Sequence, residues 1–117
     1  MLSNLSGLSK LCLITGYTDM RLSINGLMSI IRDIYQLDPY ANTLYLFCGR
    51  RGDRFKALYH DKTGFVLLYM RLDAGRIQWP RNASEARTIT RQEYRWLMEG
   101  LSIDQPKALR PSQRRDF

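Results

Sequence analysis

Residues 43–80 read TLYLFCGRRGDRFKALYHDKTGFVLLYMRLDAGRIQWP, and the alternation within this stretch decides the fold. Four runs of β-branched and aromatic residues are separated by Arg50-Arg51-Gly52-Asp53, Asp61-Lys62-Thr63-Gly64 and Asp73-Ala74-Gly75-Arg76. Each separator carries a glycine suited to positive φ, so the stretch predicts four strands joined by three tight turns. Turns centred on Arg51-Gly52, Lys62-Thr63 and Ala74-Gly75 set Leu46 against Ala57, Ala57 against Leu68 and Leu72 against Ile77.

In that register one face collects Leu44, Leu46, Cys48, Phe55, Ala57, Tyr59, Val66, Leu68, Met70, Leu72, Ile77 and Trp79, without a charge among them. A one-residue slip would send every side chain to the other face, so the agreement of three independent turns supports the register. The opposite face collects Tyr45, Phe47, Arg54, Lys56, Leu58, His60, Phe65, Leu67, Tyr69, Arg71 and Gln78. The first face is the expected core. The second is aromatic and basic, and poses the functional question.

Working outward, Leu11–Thr15 is a short apolar run that predicts a first strand, broken by Gly16. Thr18 or Asp19 is then placed to cap a helix reaching about Gln36, where Pro39 disfavours α geometry at Asp38. Met20, Ile24, Leu27, Met28, Ile31, Ile34 and Tyr35 recur at three- and four-residue spacing and form its apolar stripe. Gly26 within the stripe is read as allowing close approach to the sheet. A strand, a helix and a strand suggest a crossover that lays this helix on the charge-free face. Residues 81–87 read as a loop, and Thr90-Arg91-Gln92-Glu93 is a capping box opening a second helix that Gly100 closes.

The expected fold is therefore α+β, in the order β-α-β-β-β-β-α. It has an antiparallel sheet of four hairpin-linked strands plus a short N-terminal strand, with one long helix on the apolar face and a short C-terminal helix. Residues 1–103 form a single domain, and residues 104–117 a disordered basic tail without periodicity.

At 117 residues the chain is long enough to bury a core without disulfides, and its 44% hydrophobic and 25% charged fractions are those of an ordinary globular protein. No apolar run is long enough to span a bilayer, and the N-terminus lacks the charged and apolar regions of a secretory signal. A cytoplasmic protein is the expectation, with no membrane partner. Cys12 and Cys48 make neither a disulfide framework nor a metal site.

Net charge is +7, with 14 arginines and 4 lysines among the bases. Residues 1–48 are neutral overall, whereas residues 49–81 hold eight basic and three acidic side chains. The hairpins carry the excess. Because strands turn at alternating ends, the first and third turns share an end and gather Arg50, Arg51 and Arg54 near Arg71 and Arg76. Arg54 and Arg71 fall opposite each other, an unfavourable pairing that Asp53, Asp73 or a bound phosphate would offset. Guanidinium forks suit phosphate. With Lys56 these residues form the candidate nucleic-acid-binding set, and Tyr45, Phe47, Phe65 and Tyr69 are candidates for base stacking or for a protein interface. The single histidine, His60, has no second ligand beside it, and no phosphate loop, dinucleotide fingerprint, nucleophile elbow or paired-carboxylate motif occurs. No cofactor, metal, small-molecule substrate or catalytic residue is expected, and a nuclease ranks well behind two binding functions.

Thr18-Asp19-Met20-Arg21, Leu37-Asp38-Pro39-Tyr40, Arg50–Lys56, Asp61 with Gly64-Phe65, Arg71-Leu72, Gly75-Arg76 and Trp79-Pro80 together resemble a known family over about residues 11–101. It is the accessory-protein family, TnpB in that usage, encoded by the second open reading frame of insertion sequence 66 elements. The resemblance implies a bacterial mobile-element protein acting beside a separate transposase, without established catalytic residues of its own. DNA at the element's ends is then the leading partner. The alternative is a protein-interaction adaptor whose aromatic face docks the transposase or a second copy of itself.

Overall fold

The computed structural model describes residues 7–81 and 83–104. Five strands form one mixed sheet in the order β4-β3-β2-β1-β5. They are β1 (Lys10–Ile14), β2 (Thr43–Cys48), β3 (Arg54–His60), β4 (Phe65–Arg71) and β5 (Ala86–Ile89), with helices α1 (Ile24–Ser29) and α2 (Arg91–Met98). The tail expected from residue 104 lies outside the described residues except for Asp104.

The first two hairpins form in the expected register, with Leu46 opposite Ala57, Ala57 opposite Leu68 and Arg54 opposite Arg71. Gly52 and Gly75 take φ of 76° and 80°. Gly64 does not adopt positive φ; the second turn is organised instead by Asp61, whose Oδ1 accepts from the backbone N–H groups of Thr63 and Gly64.

The fourth hairpin strand does not form. After the Gly75 turn the chain leaves the sheet edge and folds back: Ile77 N–H donates to Gly52 C=O at 2.8 Å, and the Trp79 indole Nε1–H donates to Ile14 C=O at 2.8 Å. Ile77 and Trp79 are buried as expected, as plugs on the core face and not as strand residues. The sheet is also not purely antiparallel, since β1 runs parallel to β2, and β5, antiparallel to β1, begins at Ala86 within the last two residues of the segment expected as a loop.

The long helix is corrected in extent and in position. Regular α structure covers Ile24–Ser29, and Ile30–Ile34 continue as a wider π segment in which Tyr35 N–H donates to Ile30 C=O. Widening the turn rotates Ile34 off the stripe, leaving it 62% exposed. Asp19 does not cap this helix; it accepts from the backbone and guanidinium of Arg21 in the preceding loop. The neighbour of Gly26 is Leu22, whose Cδ2 would lie 2.7 Å from an added Cβ, and not the sheet.

Most consequential is the face α1 covers. Leu27 and Ile31 pack with Cys12, Ile14, Tyr45, Phe47 and Leu58, on the face expected to be open. The charge-free face is closed by Ile77, Trp79, Ile89, Tyr94, Leu97 and Ile103, and so by α2 and the chain around it. All six residues of β2 are buried, as a strand covered on both sides requires. Fully enclosing side chains such as Phe47, Leu27 and Leu97 contributes about 1.5–3 kcal/mol each. The capping box of α2 is present, with Thr90 accepting from Glu93 N–H and Glu93 accepting from Thr90 N–H. No helix among the described residues is long and apolar enough to cross a membrane.

Candidate nucleic-acid interface

The first and third turns meet. Besides the Ile77–Gly52 bond, Leu72 N–H donates to Asp53 C=O at 2.8 Å. A Cβ on Gly52 would lie 3.2 Å from the Ile77 oxygen and 3.5 Å from Arg76 Cβ, so glycine there serves both the positive φ and the junction. This junction brings Arg50, Arg51, Arg54, Arg71 and Arg76 to one end of the sheet.

The ladder's hydrogen-bonding parity places two of them closely. The Asp53–Leu72 bond and the Asp61 N–H to Gly64 C=O bond at 2.9 Å lie in one register. Bonded and non-bonded pairs alternate along an antiparallel ladder, so Arg54 and Arg71 form a non-bonded pair, where facing side chains run closest. These five guanidinium groups share this end with Asp53 and Asp73, and the Asp19–Arg21 ion pair lines the cleft beside them. Arg54 Nε is 3.8 Å from Asp53 Oδ1, too long for a hydrogen bond, and this enclosed Nε has no acceptor among the described residues. Arg51, Arg71 and Arg76 are exposed and make no hydrogen bond or ion pair with another described residue.

Arg50 and Lys56 are partly committed. Arg50 Nη2 donates to Tyr17 Oη at 2.7 Å, and its Cζ lies 4.2 Å from that ring's centroid. Lys56 Nζ donates to Leu22 C=O at 2.7 Å and sits 5.4 Å from the Tyr69 ring. The loop carrying Tyr17, Asp19 and Arg21 faces the Gly49–Arg54 turn across an open cleft of about 510 Å³. Hydrogen bonds from the Arg21 side chain and backbone hold the Asp19 carboxyl down at about 2.

Arg81 was not among the expected site residues, and it fixes both walls of this cleft. Nη1 donates to Gly16 C=O at 2.8 Å and Nη2 to Gly49 C=O at 2.7 Å. The bonds join loops far apart in the chain, so only its place in the basic segment could have drawn attention to it. Tyr17 lies outside that segment, and only its contact with Arg50 in the folded chain marks it.

The candidate stacking residues divide. Tyr45 and Phe47 lie under α1 and the π segment with 3% and 0% exposure, and rings so enclosed cannot stack on a base or dock a partner. Tyr45 Oη donates to Asp38 C=O at 2.8 Å. Phe65 joins Tyr40 and His60 in an edge-to-face cluster at the other end of the sheet, with centroids 4.9–5.0 Å apart. Tyr69 remains 48% exposed. Cys12 and Cys48 are free and buried, and burial pushes both thiols up to about 11. Among the described residues no three His, Cys, Asp or Glu side chains are grouped to hold a metal ion.

Over 93 residues the chain is 32% identical to the uncharacterized protein y4hO of Sinorhizobium fredii, a match covering 80% of this chain and 81% of the relative. It is 27% identical over 92 residues to the uncharacterized protein y4jC of the same organism, covering 79% of each. No solved structure matches it. The family model described as IS66 Orf2 like protein matches residues 9–108, the whole described sheet and both helices included, and the chain belongs to that family.

Proposed function

We propose that the protein is a non-catalytic accessory factor of transposition that binds DNA at the ends of its element through the arginine-rich end of the sheet. Family membership ties the chain to insertion sequence 66 elements, and hence to transposition. The observation that carries the DNA reading is the junction of the Gly52 turn with Arg76-Ile77, which gathers five guanidinium groups at one end, of which Arg54 alone is paired with a carboxylate among the described residues. Three of these groups have no acceptor among the described residues, and a backbone phosphate offers one. Arg51, Arg54, Arg71 and Arg76 bind phosphate in this reading, with Arg50 and Lys56 at the margin. The transposase of the same element is the protein that would share the DNA. Tyr45 and Phe47 have no part in it.

The test is binding to element-end duplex DNA over a series of salt concentrations. Four neutralised phosphates give a log-log slope of about −3.6, and Arg51→Ala with Arg71→Ala should reduce its magnitude by about 1.8. Binding that is absent, or a slope untouched by the double substitution, rejects the proposal.

A further inference from the structure

β4 ends the sheet, paired with β3 on one side and, among the described residues, with nothing on the other. The parity that makes Arg54–Arg71 a non-bonded pair also identifies which backbone groups are left over. Val66, Leu68 and Met70 exchange bonds with β3, so Phe65, Leu67, Tyr69 and Arg71 aim their N–H and C=O groups outward. Among the described residues this edge lacks most of the usual shields. It contains no proline, its register with β3 runs unbroken over seven residues, and it carries no charge before Arg71. The chain that could have shielded it, from Ile77 to Trp79, is folded away onto Gly52 and Ile14. The opposite edge differs: β5 is four residues long, and Arg87 within it is paired with Asp104.

We propose that the β4 edge is a homodimer interface, pairing antiparallel with β4 of a second copy about a two-fold axis at Leu68. Outward-facing groups can bond only to outward-facing groups. The one such register that overlaps the whole strand sets Leu68 against Leu68, Leu67 against Tyr69, Val66 against Met70 and Phe65 against Arg71. Sliding it by two residues leaves two residues at one end of each strand unpaired. In the full register no like charges oppose each other. Each Arg71 meets a Phe65 ring, a cation–π arrangement, and the two guanidinium groups stand about 20 Å apart along the strands. The patch is self-complementary, as a two-fold interface must be. Tyr69, 48% exposed in the single chain, is covered.

The test is sedimentation of the full chain over a range of concentrations, which should show a monomer–dimer equilibrium. Of the backbone donors of β4, Tyr69→Pro deletes only an outward N–H, and it should abolish the dimer. Leu68→Cys gives a readout that does not depend on that variant folding well. At the axis the two Cα atoms lie about 4.5 Å apart, within the span of a disulfide. Mild oxidation should therefore link Leu68→Cys to itself. Met70→Cys should link only when mixed with Val66→Cys, and the native thiols are buried and do not compete. A monomer at every concentration overturns the proposal, as does Leu68→Cys linking no faster than Met70→Cys. A dimer that forms only after residues 105–117 are removed would assign the edge to that segment, and overturns it equally.

Discussion

Arg54 and Arg71 face each other across the β3–β4 ladder at a non-bonded position, with Asp53, 3.8 Å from the Arg54 Nε, the only carboxylate among the described residues paired to either. Opposing like charges destabilises a sheet, and opposite charges at the same place contribute about 0.2–1 kcal/mol. Arg71→Glu is therefore expected to raise the urea midpoint while lowering affinity for DNA and flattening its salt dependence. A variant that loses both stability and affinity would mean that Arg71 serves the fold.

Arg81 is expected to behave in the opposite sense. Its guanidinium donates to the Gly16 and Gly49 carbonyls and holds two loops together. Hydrogen bonds from a charged donor contribute about 1.5–3 kcal/mol each when buried; here the side chain is exposed, and Arg81→Ala should cost about 1–3 kcal/mol in total. Equilibrium unfolding measures it. The slope of DNA affinity against salt should stay unchanged, because these donors are already used by the protein.

The Asp19 carboxyl, near 2 against an ordinary 3.8, is held there first by the Arg21 side chain and then by its backbone N–H. The folded group is the more acidic, so its contribution to stability is complete above about pH 4 and is lost as the pH falls through about 2. In Arg21→Ala the carboxyl resonance of Asp19, followed by NMR, should titrate closer to 3.8. A midpoint still near 2 would assign the shift to other groups.

Cys12 and Cys48 should resist alkylation. With both thiols near 11 and little thiolate at pH 8, the folded protein should remain unmodified by iodoacetamide over a time that fully modifies the unfolded chain. Mass spectrometry reads this directly, and rapid labelling of either residue would contradict its burial.

The hairpin register was legible because turn chemistry is local: Gly52 and the Asp61 side chain specify where two strands reverse. The gathering of arginines at one end followed from counting those turns. The face that α1 covers was not legible, because Thr43–Cys48 is apolar on both sides and alternation alone cannot rank its two faces. Ile77 and Trp79 kept a strand's alternation without a strand's bonds, since their backbone and indole groups are met by Gly52, Ile14 and each other. β5 is short and half polar, and it became a strand only because β1 had a vacant side. The roles of Arg81 and Tyr17 depend on loops that approach through the whole fold.

The central position of β1 bears on the order in which a newly made chain can fold. The earliest of the described strands to be translated is held between β2 and β5, and its second neighbour pairs Leu11 with Ile89. The hairpins from β2 to β4 can close early from local contacts, but β1 keeps an apolar edge until almost the entire described sequence has been translated. Any product interrupted before Ala86 retains that open edge, so premature termination should give chains that aggregate instead of smaller folded domains.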